Sequence, residues 1–228
     1  MKKAFARTSN VEAFVAAMDR LHKRQEGIPG MALVYGEPGL GKTRTALWWC
    51  VQDGGGVFIR TKKLMTGRWL LEEIVAELGE APMNRTSDLF RQAVNQLLEK
   101  PRTIFVDEAD YLAHDARVIE TLRDLHDTTG TPFVFIGMDN AEKKLMRFKH
   151  LYDRFSEIVR FNPLSEKDIR SIANQLCEVE ISDEAIAFIH ANATRFRRVM
   201  VWLYKAEAIA KANGLKKVEL IHLQGGKK

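Results

Sequence analysis

Short apolar runs and longer stretches with helical spacing alternate along the first 160 residues. The runs are rich in β-branched and aromatic residues and are bounded by Gly, Pro, Asp or Thr, which predicts strands. Five such alternations are typical of an α/β domain with a mostly parallel sheet. The predicted strands are 31–35, 57–61, 103–107, 133–137 and 157–161. The predicted helices between them are 43–52, 68–79, 87–99, 115–128 and 140–150.

The pattern changes at both ends of this region. Before the first strand, Ser9 and Glu12 fit a capping box that opens a helix. After Pro163 the spacing is helical, apart from a weak strand pattern, VELIHL, at 218–223. We therefore predict an α/β domain over 1–162 and a small all-helical subdomain over 163–228, whose last residues, GGKK, are disordered.

Composition narrows the class of protein. The chain has 228 residues, 46% hydrophobic residues, a formal charge of +5 and a pI of about 9.2. The sequence has no long uncharged apolar stretch, so no membrane span is predicted. Cys50 and Cys177 both lie in apolar helical patterns, which favours core thiols and a reducing, cytoplasmic setting. The mildly basic balance permits a polyanionic partner without requiring one.

A glycine-rich stretch, GEPGLGKT, follows the first strand and opens a helix. Its spacing is that of a phosphate-binding loop, whose backbone N–H groups and helix N-terminus face phosphate oxygens. Lys42 is expected to reach the β- and γ-phosphates of ATP, and the Thr43 hydroxyl is expected to help hold Mg²⁺. The predicted nucleotide-binding residues are Gly36, Glu37, Pro38, Gly39, Leu40, Gly41, Lys42, Thr43 and Arg44.

An acidic sequence, DEAD, ends the third predicted strand. Asp107 is the expected second Mg²⁺ ligand, and Glu108 is the expected base that orients and deprotonates the attacking water. A solvated acidic loop is the alternative. A DEAD-box helicase requires two tandem α/β domains, and this chain predicts one, so Asp110 is expected to be incidental or to cap the next helix.

These motifs together resemble the AAA+ ATPases, over nearly the whole chain. The resemblance implies a P-loop fold of the ASCE type with a helical lid. The sequence DRF resembles the family's arginine-finger box, which implies that Arg154 acts on the ATP of a neighbouring subunit. A surface pair with Asp153 is the alternative for Arg154, and Arg147 is the nearest rival.

Two further sites follow from the same resemblance. The lid sequence RFRRV implies a phosphate-sensing arginine, assigned to Arg197 with Arg195 and Arg198 left open. The family's polar residue at the end of strand four is replaced here by Gly137 and Met138. Asp139 or Asn140 can serve instead, with Asn140 counted among the nucleotide-binding residues, and slow turnover is expected.

The head of the chain is similar to the transposition ATPases of Mu-type phages (MuB) and to the IstB- and TnsC-type regulators. This similarity implies that residues 5–12 form part of an adenine pocket. It also implies that Lys62, Lys63 and Arg68 grip the DNA backbone without sequence preference, helped by Thr61 and Thr66. A solvated basic turn is the alternative. A second basic stretch, 141–150, can line the DNA path or cover a helix.

The leading hypothesis is an ATP-dependent regulator of DNA transposition, in a bacterial or phage-infected host cytoplasm. It assembles with ATP on double-stranded DNA as a helical homo-oligomer or ring, recruits a transposase, and disassembles on hydrolysis, with no membrane partner. The alternatives are an AAA+ loader of a replicative helicase and a nucleotide-gated binding module that hydrolyses ATP slowly.

Overall fold

The computed structural model, which describes residues 1–53 and 55–224, contains a five-stranded parallel sheet. Its strands are β1 (Met31–Gly36), β2 (Val57–Arg60), β3 (Ile104–Asp107), β4 (Phe133–Gly137) and β5 (Phe155–Phe161). Their order is β2-β3-β4-β1-β5, and Met31 and Ile104 both lie opposite Phe133. β3 and β4 are buried along their whole length, as expected of strands covered on both faces. The predicted parallel α/β fold is confirmed.

The chain divides into two compact units. One unit, here the sheet unit, holds residues 14–36 and 42–160, and the other, the lid unit, holds 1–13, 37–41 and the residues from 161 onward. The predicted domain boundary at 162 stays a prediction. So does the disorder of the GGKK tail, which lies outside the described residues.

Helices accompany each strand of the sheet unit. They include α1 (Ser9–His22, shared with the lid unit), α2 (Lys42–Asp53), α3 (Gly67–Glu77), α4 (Thr86–Glu99) and α5 (Ala116–Thr129). A 3₁₀ segment, Ala109–His114, precedes α5. The core contains Met31, Leu33, Ile104, Phe133 and Phe135, all fully buried. The alternation of apolar runs along the sequence thus encodes the sheet unit.

The single helix predicted over 140–150 is wrong. The structure has two short helices, α6 (Ala141–Leu145) and α7 (Lys149–Tyr152). Phe148 interrupts them because its backbone leaves the helical region, at φ −100° and ψ 76°. Helical spacing of the apolar residues continues through this turn, so the periodicity alone does not reveal the break.

The capping box predicted at Ser9 is also wrong. Thr8 occupies the capping position, because its hydroxyl accepts from the Val11 N–H at 3.4 Å. Ser9 instead donates its N–H and its hydroxyl to the Asp168 carboxylate, at 2.7 and 3.0 Å. This bond ties the first turn of α1 to the next helix of the lid unit.

The lid unit is mainly helical. Its elements are α8 (Glu166–Leu176), β6 (Glu180–Ile181), α9 (Asp183–Asn192), α10 (Phe196–Asn213), β7 (Lys217–Val218) and α11 (Leu220–Gln224). β6 and β7 pair in parallel, so a two-stranded sheet accompanies the helices. The predicted weak strand at 218–223 is wrong, since only Val218 pairs and a helix follows. In the described part of the chain, no helix is both long and apolar enough to cross a bilayer.

Candidate nucleotide site

The loop between β1 and α2 turns through left-handed glycines. Gly39 has φ +83° and Gly41 has φ +102°, a region in which a side chain is strained. Within the lid unit, the Arg197 N–H donates to the Gly39 carbonyl at 3.1 Å. Leu40 is buried, while Pro38 is exposed. The glycine spacing therefore corresponds to a real conformational requirement of this loop.

Arg195, one of the open alternatives for the sensing arginine, is paired with the loop itself. Its guanidinium contacts the Glu37 carboxylate at 2.7 and 2.9 Å, and both side chains are about half exposed. Arg197 and Arg198 are exposed at the start of α10. Of the three arginines, Arg197 is the one whose backbone bonds directly to a loop glycine.

Lys42 and Thr43 begin α2 in the sheet unit. The Lys42 ammonium group donates to the Gly36 carbonyl at 2.7 Å, and the residue is buried. Burial lowers the pKa of Lys42, and the nearby carboxylates of Asp107, Asp110 and Glu108 oppose that shift. The next residue, Arg44, is exposed on α2. An amine held at the base of a phosphate-binding loop can neutralise an anionic ligand.

Asp107 lies beside Thr43, as predicted from the two motifs. The Thr43 hydroxyl donates to the Asp107 carboxylate at 3.1 and 3.3 Å. Burial raises the pKa of Asp107, and the hydrogen bond from Thr43 opposes the shift. A hydroxyl and a buried carboxylate are hard oxygen donors that suit Mg²⁺.

Glu108 is the one described non-glycine residue with a positive φ, at 60°. Two side chains from the end of β2 stabilise this bend. The buried Thr61 hydroxyl lies 2.9 Å from the Asp107 carbonyl and 2.8 Å from the Glu108 carbonyl. Arg60 donates to the Glu108 carboxylate at 3.0 Å. The expected DNA contact from Thr61 is wrong, because its hydroxyl is used inside the site.

Arg60 and Thr61 were not predicted to belong to this site. Arg60 is paired in register with Asp107 across the sheet. The available signal was their position at the carboxyl end of the strand next to β3, since the ends of parallel strands meet at one edge. This position is informative only when the strand order is known, and the sequence does not state that order.

Asp110 neither caps a helix nor is incidental. It is buried, and its carboxylate accepts from the Met138 N–H at 2.6 Å, which joins the 3₁₀ segment to the end of β4. Asp115 caps α5 instead, by accepting from the Arg117 N–H. Gly137 is required here, because a Cβ would lie 2.4 Å from the Ala141 Cβ and 3.0 Å from the Asp110 carboxylate. This crowding explains why strand four lacks a polar residue at Gly137.

Asp139 and Asn140, the two candidates to replace the family's polar residue at the end of β4, are exposed. Asp139 pairs with Arg160 at 3.3 Å. Asn140 precedes α6 without a capping bond from its side chain. Neither is joined to Glu108 by a hydrogen bond that the described residues show, so their roles stay predictions.

Arg154 lies at the opposite end of the sheet. Its carbonyl accepts from the N–H of Met31, the first residue of β1. Its guanidinium makes two bonds to the Asp127 carboxylate, at 3.0 and 2.9 Å, rather than to Asp153. The hydrogen bond from Arg154 lowers the pKa of Asp127. Arg154 lines a pocket of about 670 Å³, together with Arg24 and His126.

The residues expected to contact DNA lie between β2 and α3. Lys62 pairs with Glu73 at 2.7 Å and covers the Trp69 ring, while Arg68 pairs with Glu72 at 2.8 Å. Lys63 is exposed, and the described residues show no ion pair for it. Thr66 caps α3 by accepting from the Trp69 N–H, and its expected DNA contact stays a prediction.

The predicted adenine-pocket segment belongs to the lid unit. Ala6 lies in that unit's core, and Asn10 exchanges two hydrogen bonds with Asn162, at 2.8 and 2.9 Å. The Arg7 N–H donates to Gln175 on α8 at 3.0 Å. The segment is therefore anchored, although its role toward a nucleotide stays a prediction.

Comparison with known proteins agrees with this geometry. Residues 26–145 match the model of a protein family described as an AAA domain. A Staphylococcus aureus protein called a potential ATP-binding protein is 32% identical over 99 residues. That match covers 43% of this chain and 33% of the relative.

Solved structures share the fold at low identity. Cdc6p of Pyrobaculum aerophilum has a TM-score of 0.69 at 20% identity, over 95% of this chain and 66% of that one. The Aeropyrum pernix Orc1 protein, solved in complex with DNA, has a TM-score of 0.66 at 14% identity, over 98% and 65%. The Thermotoga maritima RuvB branch migration motor has a TM-score of 0.63 at 18% identity, over 97% and 68%. The chain thus spans about two thirds of these chains and a third of the S. aureus relative.

Proposed function

The chain belongs to the AAA domain family, and from that premise we propose that it is an ATPase that assembles on double-stranded DNA to regulate transposition. ATP binding is the first part of the proposal. It is supported by the left-handed loop glycines, by the buried Lys42 amine and by the pairing of Thr43 with Asp107. The name of the S. aureus relative points to the same ligand.

Each residue of the site has a definite task in hydrolysis. Lys42 neutralises the β- and γ-phosphates, and Thr43 with Asp107 would hold Mg²⁺. When bound, this ion would neutralise charge on the phosphate oxygens. Glu108 orients the attacking water and accepts its proton. Thr61 positions Glu108 through its carbonyl, while Arg60 pairs with the Glu108 carboxylate.

The second part of the proposal is that a neighbouring copy completes the site. Arg154 bonds to the first residue of β1, whereas the phosphate-binding loop follows the last, Gly36. Five steps along a strand span roughly 16 Å at about 3.3 Å per residue, which exceeds the reach of one arginine side chain. If Arg154 acts on ATP, it therefore acts on another subunit's ATP. This separation is the observation that carries the assembly model.

The third part concerns DNA and its transposase. The resemblance to transposition ATPases supports duplex DNA as the polymerisation template, gripped in part by Lys62, Lys63 and Arg68. The Orc1 neighbour was solved in complex with DNA, which is consistent with DNA as a partner for this fold. In this model ATP between subunits holds the assembly together, a transposase is recruited to it, and hydrolysis releases it.

The decisive test is the concentration dependence of ATP turnover. We expect the rate per subunit to rise steeply as the chain is concentrated, and to rise further with long duplex DNA. Electron microscopy with DNA and a slowly hydrolysed ATP analogue should then reveal filaments or rings. A rate per subunit that is equal in dilute and concentrated samples would overturn the shared-site model.

A second candidate is a nucleotide-gated binding module that seldom hydrolyses ATP. It is favoured by Gly137 and Met138 at the end of β4, neither of which has a polar side chain, and by the pairing of Asp139 with Arg160. Tight ATP binding without phosphate release, with DNA present, would support this candidate over the first.

A further inference from the structure

A cluster of exposed cations follows β4, outside the nucleotide site. It comprises Lys143 on α6, Arg147 in the turn, and Lys149 with His150 on α7, and we call it the basic ridge. Residues 141–150 contain four Lys or Arg and one Glu, a formal charge of 4 − 1 = +3. The break between the two helices means that the ridge is not simply the outer face of one amphipathic helix.

The described residues offer no partner of opposite charge to the lysines and the arginine of the ridge. Among the described residues, no carboxylate lies within ion-pair distance of Lys143, Arg147 or Lys149. The one acid in the stretch, Glu142, is engaged elsewhere, because Tyr152 donates to it at 3.2 Å. A hydrogen bond to Glu142 also raises the pKa of Tyr35 to about 12. The positive charge of the ridge is therefore left to solvent or to a ligand.

This contrasts with the basic loop after β2. There Lys62 and Arg68 are each paired with a glutamate of α3, and only Lys63 is unpaired among the described residues. A phosphate ligand must displace Glu73 or Glu72 before it can pair fully with those two side chains. Within the part of the chain that the structure describes, no carboxylate competes in this way at Lys143, Arg147 or Lys149.

A small cavity adjoins the ridge. Its volume is about 280 Å³, and Ile119, Phe148 and Leu151 line it together with Arg147 and Lys149. Arg123 and Glu120 of α5 also line it, 3.8 Å apart. The cavity is too small to hold a peptide segment, so an extended anionic ligand would bind mainly through the charges of the ridge.

We propose that the basic ridge contacts the sugar–phosphate backbone of duplex DNA. The inference rests on the proposed function and adds a surface to it. Each unpaired cation replaces counterions condensed on DNA, so binding is favoured by their release and weakened by salt. A regularly charged polymer, rather than an acidic peptide, fits a ridge that has several cations and no sizeable apolar groove. Base-specific readout is not expected.

The test measures the anisotropy of a fluorescent duplex at several salt concentrations, with a slowly hydrolysed ATP analogue present. The triple variant Lys143→Gln, Arg147→Gln, Lys149→Gln is compared with a control that loses the same charge from α4 and the two residues that flank it, Arg85→Gln, Arg91→Gln, Lys100→Gln. We expect the ridge variant to bind roughly tenfold or more weakly at low salt. Its slope of log affinity against log salt should fall by roughly 2 to 3. The control should retain the parent slope.

Other outcomes separate the two proposals. If the unmodified chain does not bind duplex DNA at low salt, the proposed function fails and the ridge proposal fails with it. If the chain binds and the ridge variant matches the control, only the ridge proposal is overturned. A ridge variant that loses binding to polyglutamate while keeping its affinity for DNA would assign the surface to acidic protein instead. Circular dichroism and the single variant Lys149→Gln establish whether a loss reflects unfolding.

Discussion

The two ends of the sheet hold the charged residues that we propose act on ATP in different ways. At the carboxyl end, Asp107 is buried, and Glu108 lies on a left-handed backbone fixed by the Thr61 hydroxyl. At the amino end, Arg154 is held by one carboxylate, Asp127, with about a third of each side chain exposed. Buried and backbone-fixed groups are preorganised, whereas an exposed ion pair exchanges partners at small cost. The difference is what we expect if one end acts within the subunit and the other acts on a neighbour.

The largest effect is expected from Arg154→Ala. Turnover should fall by roughly 10³–10⁵, the range for arginines that stabilise a transferred phosphoryl group. The rate of phosphate release, measured in a concentrated sample, checks this. Arg20→Ala is a matched control, since Arg20 makes the same two-point contact with Glu157 on the surface of the sheet unit.

Mixing two inactive variants tests whether Arg154 acts between subunits. Arg154→Ala retains its own ATP site, and Lys42→Ala retains its Arg154, so a mixture creates some complete sites. Activity that exceeds the sum of the two separate samples is the expected result. A mixture as inactive as its components, or an Arg154→Ala variant with the parent rate, would contradict the comparison.

The next largest effect is expected from Glu108→Gln. The amide keeps the size of the side chain but accepts no proton, so hydrolysis should fall roughly 10²–10⁴-fold while ATP binding persists. Assembly on DNA should then outlast that of the parent after ATP is added, which light scattering can follow. Glu184→Gln, an exposed change in the lid unit, is the control. A Glu108→Gln variant that turns over normally would exclude Glu108 as the base.

The sequence predicts some features of the sheet unit better than others. The strands and the phosphate-binding loop are local features, and continuous apolar runs and glycine spacing encode them. The pairs Arg60–Glu108 and Arg154–Asp127 join residues 48 and 27 positions apart, so they depend on strand order and helix packing. The role of Asp110 was missed for the same reason, because its partner is the backbone N–H of Met138, the residue that follows β4. Local pattern therefore identifies the candidate reacting groups, and tertiary structure decides what holds them.

A smaller effect is expected from Arg60→Ala. Arg60 is mostly exposed, and it donates to one oxygen of the Glu108 carboxylate. This carboxylate is the group that we propose accepts a proton from water. Releasing it removes a contact worth roughly 1 kcal/mol at most, so turnover without DNA should rise by up to about fivefold. Steady-state rates with and without DNA measure this, with Arg91→Ala as the control. A fall in turnover would instead make Arg60 part of the machinery that supports Glu108.

The smallest effect is expected from Asp127→Asn, which tests whether the pair at the amino end restrains Arg154. Both side chains are partly exposed, so the pair contributes roughly 0.2–1 kcal/mol and its loss should raise turnover by about 1.4- to 5-fold. The gain should be largest in dilute samples, where few neighbours compete with Asp127 for the guanidinium. In the matched change Glu157→Gln, which frees Arg20, no gain is expected. If Asp127→Asn lowers turnover at every concentration, Asp127 orients Arg154 toward ATP rather than restraining it. The two ends of the sheet would then be equally preorganised.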